Sequence, residues 1–151
     1  MQETFIRYFM KNKILILTVL LIGLLSCQNQ KPAENGSFTT ASYNLRYANA
    51  EDSAAGNGWG KRYPVMAKLI QYHSFDIFGT QEGYIRQLED MKAALPGYEY
   101  IGVGRNDGKE AGEHSAKFYR SDKFDSSKKG DFWHSETPDT ASIGWDAVLP
   151  R

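Results

Sequence analysis

Asp76-Ile77-Phe78-Gly79-Thr80-Gln81-Glu82 is the stretch on which the fold turns. Asp76 to Thr80 is short and apolar and reads as a buried strand, and it runs into polar Gln81 and Glu82. Helical patterns flank it. Upstream, Val65, Leu69 and Tyr72, with Met66 and Ile70 beside them, form an apolar helical face. Pro64 suits the first turn of that helix, where a missing N–H costs nothing. Downstream, Tyr84, Leu88, Met91 and Leu95 recur at helical spacing until Pro96-Gly97 stops the helix.

Further out the alternation continues. Phe38 to Tyr47 is rich in Thr and Tyr and reads as a strand ending around Asn44, followed by a loop from Ala48 to Gly60. Tyr98 to Val103 reads as a third strand. A glycine-rich loop, Gly104 to Gly112, leads to a fourth at Ser115 to Arg120, and Lys128-Lys129-Gly130 turns the chain into Asp131 to His134. Strand, helix, strand, helix, then hairpin-like strands make a layered α/β or α+β domain. With no helix after the late strands, one face of the sheet is expected to lie uncovered.

The chain has 151 residues, which suits one domain at most. Its 18 Lys+Arg balance 18 Asp+Glu, so nothing indicates a large basic surface for nucleic acid. The single cysteine excludes an intramolecular disulfide framework and any zinc site built from several thiolates. That cysteine has a telling position. Lys11 and Lys13 precede Ile14 to Leu25, an apolar run of 12 residues, well short of the roughly 20 needed to span a bilayer. The run has the length of a signal-peptide core.

Directly behind it, Leu24-Leu25-Ser26-Cys27 resembles the lipobox of bacterial lipoproteins. That resemblance implies a signal peptide over residues 1–26 and lipidation of Cys27, with residues 27–37 as a flexible tether. The domain proper then spans 38–151, and the protein is exported and held on a membrane by its lipid. Beyond residue 26 the chain keeps 15 positive and 17 negative side chains, so the mature protein is slightly acidic.

Two polar residues stand where strands run out, Asn44 after the first and Glu82 after the second. Such groups converge on one rim, and a carboxylate there suits a hard cation such as Mg²⁺. On the residues alone, the plainer reading, in which Glu82 caps the next helix and Asn44 makes a turn, is the stronger one.

A set of motifs changes the balance. Ser42-Tyr43-Asn44-Leu45-Arg46-Tyr47, Asn57-Gly58-Trp59 with Arg62, and Asp76 to Glu82 resemble the opening motifs of the endonuclease/exonuclease/phosphatase superfamily, the DNase I-like phosphoesterases. The resemblance continues through Gly102 to Gly108, Gly112-Glu113, Phe118-Tyr119-Arg120, Phe132-Trp133, Ser135 to Pro138 and Gly144 to Ala147. It implies an α+β, four-layer α/β/β/α sandwich of which this chain is about the first half.

The same resemblance makes Glu82 a ligand of Mg²⁺ (or Mn²⁺), and Asn44 a holder of the metal site and the scissile phosphate. Glu113 takes the place of the carboxylate that orients a catalytic histidine. Arg62 and Arg105 are candidate phosphate contacts, with structural ion pairs as the plainer alternative. The implied reaction is metal-assisted attack of water on a phosphate ester, either a small organic phosphoester or extracellular nucleic acid.

The family also carries a later histidine, a Gly-Asp-x-Asn motif and a final Asp-His pair, and His73, His114 and His134 stand in none of these. The 151 residues alone are therefore expected to be catalytically dead or nearly so, and monomeric. Two other classes stay open: a non-catalytic surface lipoprotein whose aromatics bind carbohydrate or lipid, and a decayed reading frame. Two departures from the family pattern stand out. Lys117 occupies a position usually apolar, which predicts a strand edge or a solvent-facing side chain, and His134 replaces an apolar residue.

Overall fold

The computed structural model describes residues 36–151. The expected signal peptide, Cys27 with its expected lipidation, and nearly all of the expected tether lie outside the described residues. From Phe38 onward the chain forms one compact unit. Its elements are β1 (Thr40–Asn44), α1 (Ala50–Ala54), α2 (Trp59–His73), β2 (Ile77–Gln81), α3 (Ile85–Ala94), β3 (Tyr98–Ile101) and β4 (Lys117–Arg120).

The strands make one sheet in the order β1-β2-β4-β3. β1 and β2 are parallel, with Asn44 opposite Gln81, and β4 runs antiparallel to both β2 and β3. A parallel pair needs a crossover, and α2 supplies it. α2 and α3 pack on each other and on the sheet around Leu45, Ile70, Phe78, Leu88, Met91, Leu95 and Phe118, all fully buried. Phe78 and Phe118 stack across the β2–β4 pair with centroids 4.9 Å apart. The α+β reading therefore holds, as one sheet with helices on one face.

Several expectations need correction. α2 begins at Trp59, so Pro64 sits inside the helix rather than in its first turn. Its buried stripe is Trp59, Ala67 and Ile70, with Tyr63 and Met66 partly covered, whereas Val65, Leu69 and Tyr72 are exposed. Both stripes have helical spacing. The sheet selects the one whose start is pinned, because the Trp59 indole N–H donates to Asp90 of α3 at 2.8 Å. Within the expected loop, α1 forms because Asn49 caps it, its side-chain oxygen accepting the Asp52 amide at 2.7 Å.

Lys117 is exposed, as expected, but on the central strand β4 rather than at an edge. The strand still packs, because Phe118 alternates inward. Among the described residues no strand follows Arg120, and Asp131–His134 is a loop that bends at His134.

The rim away from the site is stapled by a buried carboxylate. Asp76 accepts the Thr39 amide at 2.8 Å and pairs with Lys123 at 3.0 Å. The Thr39 amide, aided by the Lys123 ammonium, holds the Asp76 carboxyl below its ordinary range.

Candidate active site

Asn44 is the last residue of β1 and Glu82 the first after β2, so the parallel register delivers both to the same rim. The Asn44 amide Nδ2 donates to Glu82 Oε1 at 2.8 Å, and the Tyr47 backbone N–H lies 3.3 Å from Oε2. Asn44 Oδ1 accepts the Arg46 amide at 2.7 Å, closing a turn. The turn expected of Asn44 is thus present, and it is what aims the amide nitrogen at the carboxylate. Glu82 does not cap the next helix, whose N-cap is Tyr84. Its backbone is left-handed, φ 60°, and so is that of Arg46, φ 53°. Non-glycine residues rarely adopt this conformation, and such strain gathers at functional sites.

The segment leaving β1 is held from two helices. Arg62 of α2 donates to the carbonyls of Leu45 (2.7 Å), Arg46 (3.0 Å) and Asn57 (3.0 Å). Its guanidinium also lies 5.4 Å from the Trp59 ring centroid. Arg62 is therefore occupied by backbone oxygens and is not among the residues lining the cleft. The plainer, structural alternative describes its geometry, though its partners are carbonyls rather than a carboxylate. Buried Gln87 of α3 donates to the same Arg46 carbonyl at 3.1 Å and accepts the Ala48 amide at 3.0 Å. Arg46 itself forks onto Asp52 at 2.6 and 2.8 Å, pulling that carboxyl down to about 2.

The opposite wall comes from the glycine-rich loop. Asp107 ties it by accepting the amides of Lys109 (2.8 Å) and Ala111 (3.0 Å). Gly104 is required there, since a Cβ would sit 2.3 Å from the Ala111 carbonyl oxygen. Across the loop's base, Arg105 and Glu113 join twice, backbone N to O at 3.1 Å and Nη1 to Oε2 at 3.0 Å.

The result is a cleft of about 330 Å³ lined by Asn44, Glu82, Arg105, Glu113 and the segment Asp131–His134, among others. Four of the five expected site residues of the domain, contributed by two strand ends and one loop, thus meet in one place.

Among the described residues Glu113 faces no histidine. His73 stacks on Phe75, and His134 packs edge-on against Phe132. His114, buried in the cleft wall, has Nδ1 3.1 Å from the Gly112 carbonyl and leaves Nε2 without a partner. Sequence reasoning also missed Gln87, the Arg46–Asp52 fork and the cleft lining of Asp131 and Phe132. Only the first two had a signal, as polar residues amid apolar helical or strand-end positions.

No three His, Cys, Asp or Glu among the described residues gather closely enough to cage a metal. The donor set fits a different kind of ion. Glu82 has lone pairs left on both oxygens, and Glu113 pairs with Arg105 through only one of its own. One or two carboxylates, with water and phosphate oxygens completing the shell, are what Mg²⁺ takes.

Solved structures of endonuclease/exonuclease/phosphatase family proteins match the chain, which corresponds to the N-terminal half of their fold. Among solved structures, a mannosyl-6-phosphatase of Bacteroides thetaiotaomicron VPI-5482 is 72% identical over 76% of this chain and 43% of that one, with a TM-score of 0.75. An endonuclease/exonuclease/phosphatase from Bacteroides vulgatus is 43% identical, with the same coverage of both chains and a TM-score of 0.72. A functionally unknown conserved protein from Enterococcus faecalis V583 is 30% identical over 74% of this chain and 43% of that one, with a TM-score of 0.67. The chain thus spans less than half the length of these structures. No protein-family model matches it, and no curated protein does.

Proposed function

We propose that this chain supplies the metal- and phosphoryl-binding wall of an exported, Mg²⁺-dependent phosphoesterase. The observation that carries the reading is the Asn44–Glu82 contact of 2.8 Å between neighbouring strand ends, with Glu82 held in a left-handed backbone. Glu82 would hold the ion, and Mn²⁺ would substitute for Mg²⁺. When bound, the ion supplies positive charge to the phosphoryl oxygens of the substrate.

The chain's own groups do the rest. Asn44 fixes Glu82 through one amide hydrogen and keeps its second for a phosphoryl oxygen as charge develops there. Arg105 holds one oxygen of Glu113, leaving the other to orient a histidine, and its guanidinium faces the same cleft. Water activation belongs to the later family motifs, so the 151 residues alone are expected to bind ligands without turnover. Mg²⁺-dependent hydrolysis by the purified chain would overturn that expectation.

A sugar phosphomonoester is favoured as substrate. A relative 72% identical is named a mannosyl-6-phosphatase. The neutral chain and the commitment of Arg62 to carbonyls provide no basic track for a polynucleotide. The protein would act as a monomer at a membrane surface, anchored through a lipid on Cys27. Titration with Mn²⁺, read by electron paramagnetic resonance, tests the reading. Wild-type chain should bind the ion, and Glu82→Gln should lose it while keeping its melting temperature. Equal binding by both would refute the assignment.

A further inference from the structure

We propose that Phe132 is the platform on which the sugar ring of the substrate rests, with Asp131 and His134 as partners for its hydroxyls. The proposal builds on the phosphoesterase reading and specifies the half of the cleft that faces the leaving group. Phe132 is 67% exposed, yet it lines the cleft that holds Asn44 and Glu82. A lone exposed phenyl on a convex surface needs no explanation. One inside a cleft that also holds the Glu82, Glu113 and Asp131 carboxylates does, because it keeps water from groups that favour hydration.

Its backbone is rigidly placed. The neighbouring Trp133 is buried, donates its indole N–H to the Arg105 carbonyl at 2.7 Å, and lies against Gly108. The Trp133 amide is bonded to the Pro138 carbonyl at 2.9 Å. On either side of Trp133, Phe132 and His134 meet edge to face with centroids 5.1 Å apart. The phenyl is thus oriented before any ligand arrives, which lowers the ordering cost of binding.

Its polar neighbours are free. The Asp131 carboxylate and the His134 ring nitrogens have no hydrogen-bond partner in the protein among the described residues. A hexose presents a patch of C–H groups on one face and hydroxyls around its edge. A fixed aromatic face flanked by an unpaired carboxylate and imidazole matches that pattern, and a cleft of about 330 Å³ is of small-molecule size.

The test uses the whole chain with Mg²⁺ and two surface variants, Phe132→Ala and Phe132→Leu, each checked for an unchanged melting temperature. Affinities for mannose 6-phosphate and inorganic phosphate are measured by calorimetry, and saturation-transfer NMR reads aromatic-to-sugar contact. Phe132→Ala should weaken mannose 6-phosphate about tenfold and leave inorganic phosphate within about twofold, with Phe132→Leu in between. Equal weakening of both ligands, or of neither, overturns the proposal. Tighter, Phe132-dependent binding of adenosine monophosphate would replace the sugar with a nucleobase and overturn it too. If wild-type chain binds neither phosphate ligand, the phosphoesterase reading fails by itself. Methyl α-mannoside then decides the platform, which stands if saturation transfer to the glycoside is present and lost in Phe132→Ala, and falls otherwise.

Discussion

Replacing Arg62 by Met separates a structural role from a phosphate-binding one. Met keeps an apolar stem against Trp59 but removes the three donors that reach the carbonyls of Leu45, Arg46 and Asn57. A hydrogen bond to a charged group contributes about 1.5–3 kcal/mol when its loss strands the partner. Two of the three carbonyls belong to residues that water reaches, and only Leu45 is fully buried. One full penalty plus two small ones gives about 2–3 kcal/mol, and not three times the single-bond figure. At roughly 4 °C per kcal/mol for a domain of this size, the melting temperature should fall by about 10 °C. Arg62→Lys should recover only part of this, because a single ammonium does not reproduce the planar fork. Thermal denaturation followed by circular dichroism reads the change, with inorganic phosphate affinity measured well below the transition. An unchanged melting temperature together with lost phosphate affinity would refute the structural assignment and return Arg62 to the substrate.

Other perturbations have equally definite outcomes. Asp76 and Asp52 both have carboxyls depressed below their ordinary values, so the stability they contribute is present above about pH 4 and lost as pH falls through their folded values, about 2 for Asp52. Acid titration of Asp76→Asn should therefore show a shallower loss than wild type in that window, and an identical curve would contradict the staple. Glu82→Gly should relieve backbone strain of about 1 kcal/mol, leaving melting temperature equal or higher while divalent-ion binding disappears; a lower melting temperature would mean the carboxylate contributes more than its strain costs. Gly104→Ala should lower stability and loosen the cleft wall, because its methyl meets the Ala111 carbonyl oxygen at 2.3 Å, and limited proteolysis within 104–113 would report it. Phe118→Ala removes the ring stacked on Phe78 and should cost about 3–5 kcal/mol, enough to abolish a cooperative transition.

The rim residues were legible from sequence because a strand–helix–strand unit forces its strand ends together. Asn44 and Glu82 stand at the two points where β-prone runs turn polar, and a parallel pair needs nothing more to juxtapose them. The face of α2 was not legible. Val65, Leu69 and Tyr72 form as good an apolar stripe as Trp59, Tyr63, Met66 and Ile70, and helical periodicity gives no sign of which one the sheet lies under. The tie is broken by Asp90, which receives the Trp59 N–H from a different helix. What Arg62 holds was not legible either, for a related reason. Its partners are main-chain carbonyls, which every residue has, so no side-chain pattern announces them. Phe132 lay hidden because a phenyl beside a tryptophan reads as core, and only the anchoring of Trp133 shows which of the two faces outward.

The Arg46 carbonyl receives donors from both helices, Arg62 on one and Gln87 on the other. A single oxygen is thereby a junction where the two cylinders and the turn carrying Tyr47 are mechanically linked. A slip of either cylinder along its axis must tear one of those bonds. The amide of Tyr47 would then drift from the Glu82 carboxylate before the sheet itself had been disturbed. Hydrogen exchange at that amide should consequently act as an early gauge of helix slippage, and the rim should lose the Tyr47–Glu82 contact at temperatures where the strands are still paired.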